Sequence, residues 1–161
     1  MKNSNGFSLI EMMVVIVIFA ILVGMAAYGI WGMNSTLRYK QGADMALWAL
    51  RSGRAKAIRA ETEANVIFTA GPPATYQILW VDRVTTPSVP QWITEGQGTF
   101  PNGVTYMPTN GIGPDVFRFF ADGHAEVPVG PGQARVINNN PKRLYSQTIQ
   151  VLPASGLARI Y

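Results

Sequence analysis

The stretch Met12–Met33 reads MMVVIVIFAILVGMAAYGIWGM, 22 consecutive residues without a charge. As an α-helix it is roughly 33 Å long, enough to cross a ~30 Å hydrocarbon layer. Apolar residues occupy every face over about six turns, which fits a bilayer or the inside of a bundle rather than the surface of a soluble domain. A cleaved secretory signal has an apolar region of only about 7–15 residues with a small-residue cleavage site behind it. This block is longer and no such site follows, so it is expected to stay on the protein.

Ahead of the block stand a polar leader, Met1-Lys2-Asn3-Ser4-Asn5-Gly6, and then Phe7-Ser8-Leu9-Ile10-Glu11. Glu11 sits at the threshold of the apolar run. A carboxylate deep in lipid costs ~2.5–3.5 kcal/mol on insertion scales, so Glu11 needs a partner or marks a function. Gly6-Phe7-Ser8-Leu9-Ile10-Glu11 resembles the processing site of type IV prepilins and type II secretion pseudopilins. The resemblance implies cleavage between Gly6 and Phe7 by a prepilin peptidase and methyltransferase, with N-methylation of the new Phe7 amine. It further implies a single-pass protein of a bacterial inner membrane with its C-terminal head in the periplasm. Membrane lipid surrounds the helix until an assembly platform in that membrane moves the subunit into a pilus or pseudopilus fibre. Inside a fibre, the amine of a neighbouring subunit would neutralise Glu11. Breaking a buried ion pair typically costs ~3–5 kcal/mol, so such a pair acts on the register of assembly.

Beyond the block, Asn34–Ala60 reads NSTLRYKQGADMALWALRSGRAKAIRA, rich in helix formers and free of proline. Ala43, Ala46, Leu47, Leu50, Ala57 and Ile58 recur at helical spacing and predict an apolar stripe able to pack on a sheet. Gly24, Gly29, Gly32, Gly42 and Gly53 each weaken the helix by about 1 kcal/mol relative to Ala. Arg38, Lys40, Arg51, Arg54, Lys56 and Arg59 face only Asp44 in this segment, a net charge of +5, against −1 from Glu61 to Tyr161. Positive charge is therefore concentrated on the helix. A solvated or subunit-facing surface, attraction to lipid head groups near Arg38 and Lys40, and nucleic-acid binding are the three readings of it.

After Ala60 the texture changes to short apolar runs between Gly, Pro and Asn. Val66–Phe68, Tyr76–Val81, Val104–Met107, Phe117–Phe120, Ala125–Val127, Thr148–Leu152 and Leu157–Tyr161 read as strands. Asp122-Gly123 is a hairpin signal. Thr85–Pro101 and Gly130–Pro141 read as loops. The fold class is α+β: a long hydrophobic N-terminal helix packed on an antiparallel, β-rich head of six or seven strands. The expected organisation is a leader at 1–6, a membrane or fibre-core half-helix at 7–33, an amphipathic periplasmic half-helix at 34–60 and a head at 61–161.

The order of these pieces is similar to the GspH/FimT type of minor pseudopilins and minor pilins. The residues that carry it are Leu50–Arg59 before the strand at Val66, then Phe119-Phe120-Ala121-Asp122-Gly123, then Gly156-Leu157-Ala158-Arg159-Ile160. The resemblance implies a structural subunit that supports protein secretion or pilus biogenesis in contact with other subunits. Two alternatives stand beside it. One is a DNA-binding minor pilin of natural transformation, for which Arg135, Lys142, Arg143 and Arg159 are the candidate basic residues. The other is a major pilin, although the chain lacks the cysteine pair of disulfide-looped pilins.

Catalytic chemistry finds little support. With no cysteine and one histidine, the sequence excludes a disulfide scaffold, a thiolate zinc site, a cysteine nucleophile and a His-rich metal centre. His124 follows Asp122-Gly123 and reads as an exposed turn residue. Asp115, Asp122 and Glu126 match no calcium-loop spacing. Gly111-Ile112-Gly113-Pro114-Asp115 lacks the Lys-Ser/Thr of a phosphate loop. Tyr76, Trp80, Trp92, Phe117, Phe119 and Phe120 read as core residues of strands rather than as a base-stacking platform. No enzyme activity, metal or cofactor is expected.

Overall fold

In the Asn34–Ala60 stretch the small residues fall on one side of a helix, and that side decides how the rest of the chain packs. The computed structural model describes residues 8–83, 91–108, 114–127, 133–138 and 146–161, without the side chains of 27–35, 134 and 138. Among the described residues one helix, α1 (Leu9–Arg59), precedes nine strands. These are β1 (Ala64–Thr69), β2 (Thr75–Asp82), β3 (Gln91–Thr99), β4 (Val104–Met107), β5 (Asp115–Phe119), β6 (Ala125–Glu126), β7 (Gln133–Asn138), β8 (Ser146–Leu152) and β9 (Leu157–Ile160). The chain divides into two units, Met1–Thr36 and Leu37–Tyr161.

In the first unit, α1 has a sharp beginning. The Ser8 hydroxyl accepts the Ile10 amide at 3.3 Å, and the Glu11 carboxylate accepts the Ser8 amide at 2.9 Å. This reciprocal pairing of an N-cap serine with a glutamate three residues on is a capping box. Behind it, Leu9–Ala26 is long and apolar enough to cross a membrane, and none of it is buried within the chain. Every large apolar side chain from Leu9 to Met25 is at least half exposed. So large an uncovered apolar surface requires lipid or other apolar chains around it.

In the second unit, the stripe Tyr39, Gly42, Ala43, Ala46, Ala49, Leu50, Gly53 and Ala57 is buried. It differs from the predicted stripe at its edges: Leu47 is only partly buried and Ile58 is exposed. The small residues bring α1 onto both sheets. A Cβ on Gly53 would stand 2.3 Å from Cγ2 of Val66, and one on Gly42 would stand 2.7 Å from Cγ1 of Val104.

All strand pairs are antiparallel. One sheet has the order β3-β2-β1-β5-β6 and the other β4-β7-β8-β9. Val66, Phe68, Ile78, Phe117 and Phe119 from the first meet Val104, Tyr106, Val136, Ile149 and Val151 from the second in one core. Phe68 lies at its centre, its ring stacked 5.1 Å from that of Tyr106 and edge-on at 5.8 Å to Phe117. Tyr106 donates its hydroxyl hydrogen to the buried Asp115 carboxylate, so the carboxylate is not left unsolvated in the core.

Two predicted loops contain strands. β3 falls inside Thr85–Pro101 and β7 inside Gly130–Pro141, which raises the strand count among the described residues to nine. β3 is an edge strand, exposed along nearly its whole length, with Gly96 and Gly98 in its ladder. It lacks the alternation of buried and exposed positions by which a strand is read from sequence.

Candidate functional site

Glu11, the predicted assembly residue, belongs to the capping box that opens α1. Its carboxylate is held at the helix N-terminus, where the backbone dipole favours negative charge. The signal for this role is Ser8-Leu9-Ile10-Glu11, a Ser-x-x-Glu preceding an apolar run, which the sequence reading did not use. Gly6 and Phe7, the predicted processing residues, lie outside the described residues.

Of the four basic head residues, Arg135 and Arg159 are described, and Lys142 and Arg143 lie outside the described residues. Arg135 pairs with Thr148 across β7 and β8, and Arg159 pairs with Gln150 across β8 and β9. Positions 148 and 150 share a face, so both arginines sit on the outer face, opposite buried Val136, Ile149, Val151 and Ala158.

The basic side chains of α1 do not form one solvated face. Arg38, Lys40, Arg51 and Arg59 are exposed, but Arg54 and Lys56 turn toward the sheets. Lys56 Nζ lies 2.7 Å from Glu95 and 4.2 Å from the centre of the Trp80 ring. Arg54 Nε donates to the Ser155 carbonyl at 2.9 Å and to the Gly123 carbonyl at 3.3 Å. Arg51, Arg54 and Arg159 line a cavity of about 220 Å³ together with Gly156, Leu157 and Ala158. The sequence reading counts Arg51 and Arg54 among the basic residues of the helix but does not place them beside β9. Their spacing of three places them on one side of α1, but nothing in the chain announces partners so far along it.

The carboxylates considered for calcium have separate partners. Asp115 bonds Tyr106, Asp122 bonds His124, and Glu126 pairs with Arg118 at 3.0 Å. Among the described residues no three His, Cys, Asp or Glu side chains form a group that could hold a metal. His124 follows the predicted turn and is partly covered, its ring stacked 4.2 Å from that of Phe120. Of the six aromatics assigned to the core, Tyr76, Phe117 and Phe119 are buried. Trp80 and Phe120 are partly buried, and Trp92 is exposed on the edge strand β3, where no second layer covers it.

Residues 1–27 match the family model of the prokaryotic N-terminal methylation motif. No curated protein matches the chain. Among solved structures, the chain is similar to the crystal structure of the type IV minor pilin FimU of Pseudomonas aeruginosa (strain PAO1). That likeness has 15% identity, 76% coverage of this chain, 85% coverage of that one and a TM-score of 0.49. The N-terminal segment thus carries the methylation motif of prepilin-type proteins, which supports the pilin and pseudopilin superfamily.

Proposed function

We propose that this chain is a minor pilin or pseudopilin, a structural subunit of a type IV pilus or a type II secretion pseudopilus. The observation that carries the reading is one juxtaposition. A methylation motif covers residues 1–27, and within it runs an apolar helical span, Leu9–Ala26, none of which is buried inside the chain. Such a helix rests in the inner membrane first and among the helices of other subunits afterwards. The head faces the periplasm. Processing between Gly6 and Phe7 creates a new amine at Phe7, which is N-methylated. Phe7 then stands one residue before the N-cap serine, and the Glu11 carboxylate is already turned toward that end of the helix by its bond to the Ser8 amide. A neighbouring subunit's Phe7 amine neutralises Glu11 as the helix leaves lipid. The head is a scaffold for contacts between subunits, not a catalyst.

Mass spectrometry of the mature protein from cells with an active peptidase tests this directly. An N-terminal methyl-Phe7 peptide is expected, and an intact Met1 in every mature molecule would refute it. Glu11→Ala is expected to leave processing and membrane insertion intact and to impair fibre entry. Normal incorporation of that variant would remove Glu11 from the mechanism.

A further inference from the structure

Where α1, β9 and the β8–β9 turn meet, three arginines border one concavity. Arg51, Arg54 and Arg159 line this concavity of about 220 Å³, and among the described residues no acidic side chain lines it. Arg54 is held in place by the Ser155 and Gly123 carbonyls. Arg51 and Arg159 are exposed and form no salt bridge among the described residues. Three positive residues around one concavity favour an anion there. The fold keeps them together, since Arg51 precedes Arg54 by one helical turn and the β8–β9 ladder fixes Arg159 opposite Gln150.

We propose that this concavity is an oxyanion site that receives the carboxylate of an acidic side chain from a neighbouring subunit. The proposal rests on the reading of the chain as a fibre subunit. Three features favour a carboxylate on a protein over a nucleic-acid backbone. The guanidinium fork binds carboxylates through two parallel hydrogen bonds. Leu157 and Ala158 give the concavity an apolar wall suited to the methylene stem of a glutamate. Its volume holds one side-chain head, and the next described basic residue on this sheet, Arg135, lies two strands away, about 10 Å by strand spacing. The described arginines therefore make a spot, not a stripe that tracks a polymer.

The test uses the full chain in uncharged maltoside micelles, with glutarate as the probe and the arginine Nε–Hε NMR signals as the readout. Saturable shifts of the Arg51 and Arg159 signals are expected, with no such shifts from glutaramide. An Arg51→Gln, Arg159→Gln double variant is expected to weaken glutarate binding by at least ~tenfold, the loss of a charge-assisted pair of bonds. Absent saturation, or equal shifts from glutaramide, would overturn the site. Retention of duplex DNA that the double variant abolishes would reassign it to phosphate and overturn the carboxylate. In cells, the double variant should keep a methylated Phe7 and enter fibres poorly; normal entry would remove the neighbouring subunit as the ligand's source. Failure of the wild-type chain to enter any fibre would instead strike the proposed function, and the glutarate titration would still decide the site.

Discussion

The Nε of Arg54 lies 2.9 Å from the carbonyl oxygen of Ser155, a residue 101 positions further along the chain. The same group reaches the Gly123 carbonyl at 3.3 Å. One helical side chain thus ties down both the Asp122-Gly123 turn and the β8–β9 turn. The two turns also touch. The Ala125 amide donates to the Pro153 carbonyl at 2.8 Å, and a Cβ on Gly156 would stand 2.3 Å from the Gly123 oxygen. Gly156 has φ +61°, so its glycine is required both by conformation and by space.

Removing the guanidinium while keeping its stem isolates this contact. Hydrogen bonds to a charged group contribute ~1.5–3 kcal/mol, and Arg54→Met leaves two carbonyls without their donor. The variant is expected to lose about 2 kcal/mol. Urea unfolding of the full chain in micelles, followed by tryptophan fluorescence, measures it. Arg54→Lys should recover only part of the loss, since a point charge cannot reproduce the fork. A midpoint unchanged in Arg54→Met would mean that the two turns hold themselves.

Gly53 sets two effects against each other. Gly→Ala in a helix interior gains about 1 kcal/mol of propensity. Here the new methyl would come 2.3 Å from Cγ2 of Val66, a buried residue on β1. Overpacking a tight core costs ~1–3 kcal/mol, so the clash wins and Gly53→Ala is expected to destabilise. Combining it with Val66→Ala makes room for the methyl. The double variant should therefore be more stable than the two separate losses predict, and additive losses would place the helix further from the sheet than 2.3 Å implies.

The spine, the α+β class and seven strands were legible because each carries a local pattern. β1 alternates buried and half-buried positions from Ala64 to Phe68, and its sequence shows it. β3 and β7 were hidden for different reasons. Gln91–Thr99 lies at a sheet edge, so no burial selects its residues. Gln133–Asn138 is flanked by Gly, Pro and Asn, which read as loop on both sides. Around the concavity beside β9, the sequence shows Arg159 only as one of four basic head residues, and Arg51 and Arg54 only as part of a basic helix. They look like members of a solvated helix face until the fold brings β9 beside them.

Glu61 is a non-glycine residue with φ +49° just after α1 ends. The Thr62 amide donates to the Ala57 carbonyl at 3.1 Å, closing the helix in the manner of a left-handed cap. A side chain in that conformation costs roughly 1–2 kcal/mol, and glycine avoids it. Glu61→Gly is therefore expected to raise stability by about 1 kcal/mol after the added freedom of the unfolded chain is subtracted. Thermal unfolding would register this as an increase in Tm. A decrease would assign the Glu61 side chain a stabilising contact larger than its backbone strain.

Asp122 makes the acid response of the head specific. The His124 ring bonds its carboxylate, the His124 amide adds a second bond at 3.1 Å, and together they hold the Asp122 carboxyl below the usual aspartate range. A depressed folded-state value means that the ionised form favours the folded turn. The stabilisation is complete above the ordinary aspartate pKa of about 4 and fades as pH falls through the lower folded value. NMR titration of the carboxyl carbon should place the Asp122 midpoint below that ordinary value. His124→Ala removes the ring bond, the larger cause, and keeps the amide, so the midpoint should return most of the way. Asp122→Asn should remove this part of the acid response while leaving the Phe120–His124 stack in place. An unmoved midpoint in His124→Ala would assign the depression to the amide alone and leave the imidazole only its packing against Phe120.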